Sequence, residues 1–489
     1  MRKKTPTKCF LLTGLLFLLL AAGNIATGQV RTAIVSGNWS DPLIWVPQVV
    51  PTSSDDIIID GGIAVVMDVP GTCRTITDIA GGGSITGAGT LTITGNAGIA
   101  IDNISGIATI SCPVIFPATA SVSVAGSLTI SGVIDGVAND LIKNGTGKLI
   151  LTASNLYNGT TTVNAGILNL QDGLAAGTTA NGIIVNNSAQ LDLESLFMML
   201  INEPLSLSGQ GISGGALSNV SGINFISGPI TIEGADTWIS NSNGDLLITS
   251  AIDLKNNLLT FQGAFNIYVA GDISSSTGIG NIVKEGAGEL SIVNQTVTIN
   301  SLSINAGTFT STSETLNLTG DFVNNGVFNH NGGTVMLNGS SAQSIGGSVQ
   351  TTFNNLALDN LSGAMLGKSE IVDGTLTLAN GNLSLGTSDL TLGTAAVAGS
   401  PSVTNMIVTN GTGECRRIIT GVGPYVFPVG DNTGTPEYSP VTLDFTSGSF
   451  SSAYAGVRVT DGTQPDNTST SDYLTRYWSV TQSGISSYT

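Results

Sequence analysis

Triad hydrolases and most zinc sites depend on histidine, and this 489-residue chain has one, His330, between Asn329 and Asn331. Without a second soft ligand or a nucleophile nearby in sequence, it reads as a polar turn residue. Gly211-Ile212-Ser213-Gly214-Gly215 matches the Gly-x-Ser-x-Gly elbow that lifts a serine out of a strand-to-helix turn. No strand-to-helix pattern surrounds it, and a chain rich in Gly and Ser produces such matches by chance. Glycoside hydrolysis needs two convergent carboxylates. Asp55, Asp56 and Asp60 cluster, but period-two alternation puts Asp56 and Asp60 on one strand face and Asp55 on the other. They read as a solvated edge beside Ile57 to Ile59. Lyases need cations against a uronate, and Arg74, Lys143, Lys148, Lys255, Lys284 and Lys368 are far apart in sequence. Gly430-Asp431-Asn432-Thr433-Gly434 suits an Asx turn better than an oxygen-ligated cation. Trp39 and Trp45 have the rings to stack on sugars, though covering a core is the simpler role. The sequence therefore assigns no catalytic residue, no cofactor and no metal ligand.

The elements that would carry any site are strands. Gly supplies 64 residues and aromatics only 5%, and the rest is dominated by Val, Ile, Leu, Thr, Ser and Asn, which is strand and turn chemistry. Short alternating stretches such as Thr90 to Thr94, Ser127 to Ile130, Gly374 to Leu378 and Asp389 to Leu392 pass the test for half-buried strands.

One self-match organises the chain. KNGTGKLILTASNLYNGTTTVNAGILNL (Lys143 to Leu170) and KEGAGELSIVNQTVTINSLSINAGTFTS (Lys284 to Ser311) align without a gap. Gly145, Gly147 and Leu149 correspond to Gly286, Gly288 and Leu290, and Asn164 and Gly166 to Asn305 and Gly307. A fixed offset in two distant copies marks a repeating structural unit. Its length is about one coil of a parallel β-helix, roughly twenty residues, with glycine at corners and asparagine laddering between coils. At roughly 4.8 Å per coil such a rod would be some 80 Å long. A string of small β-sandwiches is the rival, and it would need aromatic cores that the middle of the chain lacks. The expected fold is all-β, a right-handed parallel β-helix followed by a β-sandwich-like module.

Both ends differ from the middle. Residues 1–28 read as a signal peptide: Arg2, Lys3, Lys4 and Lys8, then an apolar run from Phe10 to Ala22, too short to span a bilayer comfortably. Residues 29–62, with Trp39, Trp45 and three prolines, read as a cap over the first edge strand. Residues 63–410 are the repeat region. From 411 to 489 six of the eight tyrosines appear, the mark of the sandwich-like module. The leader holds four basic and no acidic residues, so its removal takes the formal charge from −18 to −22. That excludes nucleic acid and anionic membrane surfaces as partners. Cys73, Cys112 and Cys415 remain, an odd number that cannot form a complete disulfide framework; Cys73 and Cys112 either pair or serve as small buried residues.

At the Lys143 and Lys284 copies the sequence resembles the autotransporter-associated β-strand repeat: Gly-x-Gly-x-Leu, then Tyr-x-Gly-x-Thr (Tyr157 to Thr161), then Asn-x-Gly. The second copy lacks the Tyr-x-Gly-x-Thr part. Gly37 to Trp45, Phe322 to Val335, Phe427 to Asp431, Tyr438 to Pro440 and Arg476 to Trp478 resemble elements of secreted surface proteins of Bacteroidota. That resemblance implies type IX export read from a C-terminal sorting domain, which is absent before Thr489, so the chain is expected to be a fragment of a longer protein. The expected function is a non-enzymatic, exported, extracellular or cell-surface stalk of adhesin-like kind. Its partners would be extracellular polysaccharide or other surface proteins, with no membrane span after leader removal. The alternative is a carbohydrate-active enzyme or carbohydrate-binding protein on the same scaffold.

Overall fold

The computed structural model describes residues 28–95, 98–101, 107–136, 139–179 and 181–489. The expected leader lies outside the described residues except for Gly28. Among the described residues the one helical element is a 3-10 turn, Pro42–Ile44, capped by Asp41, whose Oδ1 accepts from Leu43 N at 2.9 Å. Most of the chain is strands in about 17 stacked parallel coils, a β-solenoid.

The stacking can be followed residue by residue. On one face Leu141, Thr161, Ile183, Leu205, Ile230, Ile252 and Ile273 lie in successive register. On a second face the column is Leu128, Leu149, Leu168, Leu191, Leu217, Ile239 and Phe261. All seven of the latter are buried. Like side chains therefore stack on like, and fully burying each one contributes about 1.5–3 kcal/mol. A third face carries Leu246, Ile267, Leu290 and Phe309.

An aromatic cluster fills the rod between residues 309 and 353. There Phe322 meets Phe328 edge to face at 5.2 Å and Phe353 at 5.3 Å, and Phe309 stacks on Phe328 at 6.2 Å. The Phe-x-Asn-x-Gly-x-Phe motif is thus a local aromatic core.

At the start of the rod Trp39 and Trp45 are buried, packed edge to face at 5.1 Å, with Trp45 Nε1 donating to Trp39 O at 3.1 Å. The same segment also supplies the first coil, because Val30–Ala33 pairs parallel with Asp56–Ile59 and antiparallel with Trp45–Val46. At the far end Cys415–Ile419 pairs parallel with Leu390–Leu392, and Val429–Asp431 with Ile407–Val408. Hydrogen bonding is therefore continuous across 411, where composition placed a boundary. What changes there is strand direction: Ser449–Asp461 adds antiparallel to Cys415–Ile419, and Arg476–Ser486 antiparallel to it. The late aromatics Tyr425, Phe445 and Phe450 pack edge to face beside these strands. Antiparallel strands and bulky rings follow the last parallel pairing.

A coil is the unit that can be removed without loss of register. Deleting residues 252–272 lets Ile273 take the place of Ile252 opposite Ile230, and the chain is expected to remain β-rich and protease-resistant. Deleting only 252–262 turns the next coil out of phase and is expected to abolish the far-ultraviolet β signal and the protease resistance.

Candidate functional site: the lysine-capped corners

The repeat motif builds a corner, and its lysine is the centre of it. Lys143 is the last but one residue of the strand Leu141–Asn144 and is fully buried. Its Nζ donates to Asn144 O and Gly145 O, both at 2.8 Å, and to Ala165 O of the next coil at 3.0 Å. Lys284 repeats this with Glu285 O at 2.6 Å, Gly286 O at 2.8 Å and Ala306 O at 3.3 Å. Each ammonium thus spends its three donors on carbonyls that the turning chain leaves without a strand partner.

The glycines make room for this. Gly145 and Gly286 have φ of +75° and +71°, and Gly166 and Gly307 have +71° and +67°, the left-handed region where glycine carries no steric penalty. A Cβ at Gly166 would sit 2.3 Å from Gly147 O and 2.7 Å from Lys143 Nζ; at Gly307, 2.4 Å from Gly286 O and 2.8 Å from Lys284 Nζ. Gly147 and Gly288 are needed for approach alone, with a Cβ at 2.1 Å from Gly126 O and 2.2 Å from Phe265 O. Leu149 and Leu290 fill the interior below the corner. Asn164 and Asn305 tie it to the previous coil, with Nδ2 donating to Asn144 Oδ1 at 2.9 Å and Glu285 Oε1 at 2.7 Å. The first ladder continues from Asn186 to Asn164 at 2.8 Å. Tyr157, absent from the second copy, is buried with its hydroxyl 2.7 Å from Thr161 Oγ1.

The two copies do not occupy the same side of the rod. Lys143 lies in the column of Val122, Val163 and Val185, whereas Lys284 follows Phe261 in the column to which Leu149 belongs. The motif therefore specifies a corner and can be used at different corners. Sequence reading caught its glycines and asparagines but treated the lysines as scattered charges. Their equivalence in the self-match was the available signal.

The other candidates are structural. Asp55 and Asp56 do not form a solvated edge, which corrects the sequence reading. Asp55 is buried and accepts from Thr52 N at 2.9 Å, Thr52 Oγ1 at 2.8 Å and Gln29 N at 3.3 Å. Burial pushes its carboxyl up, but the Thr52 hydrogen bonds, with Arg31 and Gln29, outweigh this and leave it below the ordinary value. Asp56 takes a two-point contact from Arg74 and a bond from Thr75 Oγ1 at 2.6 Å, so it joins adjacent coils. Alternation places the strand faces but not the partner that the next coil brings. Asp60 is exposed.

His330 is half-buried, its Nδ1 accepting from Gly332 N at 3.0 Å in a turn. Ser213 N and Ile212 N both donate to Gln190 Oε1 at 3.0 Å, a loop and not a strand-to-helix elbow. Asp431 Oδ1 accepts from Thr433 N at 3.1 Å, an Asx turn. Cys73, Cys112 and Cys415 are buried and unbridged, and burial pushes the Cys112 thiol up to about 11 and Cys415 up to about 12. No group of three or more metal-ligating side chains occurs among the described residues. An open groove of about 680 Å³ runs past Asp321, Ser344, Leu361, Met365 and Asn382, with Asp321 its one carboxylate.

Residues 141–170 match the family described as passenger-associated-transport-repeat. That is the first lysine-capped corner with the coil after it. The match supports an autotransporter-type repeat for this segment. No curated protein and no solved structure matches the chain. No helix among the described residues is long and apolar enough to cross a membrane.

Two expectations follow for the corners. Gly166→Ala should lower stability by about 3 kcal/mol or more, from left-handed strain plus overlap with backbone, while Gly332→Ala, with φ +76° but open space around it, should cost only about 1 kcal/mol. Chemical denaturation of the two variants checks the contrast.

Burial lowers both lysines from 10.5 to about 8. Between pH about 8 and 10.5 the unfolded chain then binds more protons than the folded one, so stability rises with pH in that window and gains no slope below it. Lys143→Met/Lys284→Met should lose about 1–3 kcal/mol per corner near neutral pH from orphaned carbonyls. The same variant should also lack the alkaline rise. Denaturation midpoints of both proteins across pH 7 to pH 11 measure each effect.

Proposed function

We propose that the chain is a non-enzymatic passenger stalk, exported to the cell surface or the surroundings, whose function is length and stiffness. The observation that carries this reading is the parallel ladder that runs from Gly37–Asn38 to Val429–Asp431. Both repeat lysines donate to carbonyls of the turning chain and of the next coil and so tie coils together. The passenger-associated repeat at 141–170 supports the same reading, since such a repeat implies a surface or secreted protein. Export by type IX machinery, adhesin-like contacts with extracellular polysaccharide or surface proteins, and a formal charge that repels nucleic acid form the finer part of the proposal.

A stalk and a carbohydrate-active enzyme differ in one measurable respect. Incubated with a panel of neutral and acidic polysaccharides, the purified chain is expected to release no reducing or unsaturated ends. Release of either, lost on Asp321→Asn in the open groove, would overturn the structural reading.

A further inference from the structure

The strand Ala189–Ile201 contains six consecutive apolar residues, Leu196 to Ile201, where alternation would give three. Its pairing with Leu217–Ile226 is irregular. Glu194 lies opposite Ser221 and Met198 opposite Ile223, so four steps on one strand meet two on the other and the surplus bulges outward. Leu196 is 93% exposed, Phe197 84% and Met198 69%. Met199 and Ile201 are buried, and Leu200 is again exposed.

This bulge sits in an apolar stripe that runs along the rod. Leu200 is followed in register by Phe225, Leu247 and Tyr268 on the next three coils, and exposed Ile223 lies beside Met198. In the other direction Gly173 lies against Leu200, where an added Cβ would be 2.5 Å from the Leu200 carbonyl oxygen. Its neighbour Leu174 is exposed, and the Leu174 carbonyl accepts from Asn155 N at 3.0 Å, beside exposed Leu156.

We propose that this stripe is the face on which two copies of the chain pair side by side. A fully exposed side chain of this size presents roughly 150–200 Å², so the exposed members together present on the order of 700 Å² of apolar surface, more than monomers usually carry and close to the ~800 Å² per partner of a stable complex. The chain carries a formal −18 and two copies repel over most of their surfaces, whereas the stripe is uncharged. Acidic groups border it: Glu194, 3.7 Å from Lys148 Nζ, and Asp172, whose Oδ1 accepts from Leu174 N at 2.9 Å. Pairing through a flat sheet face about a two-fold axis uses the same patch on both partners and sets two rods in contact along their length. This goes beyond the stalk reading, and an isolated stalk would leave that reading intact.

Sedimentation velocity over about 1–100 µM tests it. The purified chain is expected to dimerise, more strongly as added salt screens the acidic surfaces. Leu196→Ser/Phe197→Ser/Met198→Ser should weaken association at least tenfold with an unchanged melting midpoint, because those side chains are solvent-exposed in the single chain. Leu361→Ser, an equally exposed leucine elsewhere on the rod, should leave association unaltered. A chain that stays monomeric at about 100 µM, or a dimer indifferent to the triple substitution, would overturn the proposal. So would flotation of the monomer with phosphatidylcholine vesicles that the triple variant abolishes, which would assign the stripe to a lipid surface.

Discussion

In a stacked coil the chain must turn at corners while the backbones of neighbouring coils stay about 4.8 Å apart, and that spacing governs the rest of the protein. Strand pairing satisfies the straight segments completely. At a corner the peptide planes rotate away, carbonyls lose their partners, and the next coil is too close for water to replace them at little cost. The chain meets this with two devices. Glycine lets backbone pass where a Cβ would overlap a carbonyl, as at Gly147 and Gly166, and a buried lysine gathers three orphaned oxygens from two coils. Desolvating an ammonium opposes stability, as the lowered Lys143 and Lys284 values record. Three carbonyl acceptors offset that cost and give the corner a single geometry.

Much of the fold was legible because it repeats. The alternation in segments such as Ser127 to Ile130 reports one buried face, and the structure buries Leu128 and Ile130 accordingly. The self-match reported a coil, since a fixed spacing between glycines and asparagines is what stacking requires. Other features depended on contacts between coils, which one sequence does not display. Lys143 looks like a surface charge until Ala165 is placed above it. Asp56 looks solvated until Arg74 arrives from the following coil. The composition shift near residue 411 was real but marked a change from parallel to antiparallel pairing, in which Cys415–Ile419 still belongs to the rod's ladder. The run from Leu196 to Ile201 broke alternation in plain view, and its meaning depended on which of its side chains face outward.

These parts fit one physical design. Columns of Leu and Ile stacked on one another give a core that extends by addition, so length can grow without any change in cross-section. The corners fix how each coil sits on the last, and the tryptophan pair is buried at the start of the rod. The two repeat lysines and the three thiols all lie buried within the packing of the rod. The exposed apolar run at Leu196, Phe197, Met198 and Leu200 marks one side of the rod.

The central claim is a single stiff solenoid from Val30 to Asp431. Small-angle X-ray scattering from the chain in dilute solution tests it most directly. One rod of uniform cross-section, roughly 80 Å long for about 17 coils at about 4.8 Å each, is the expected result. A longer, flexible envelope of separate globules, with no constant cross-section, would contradict it and favour a string of small β-sandwiches.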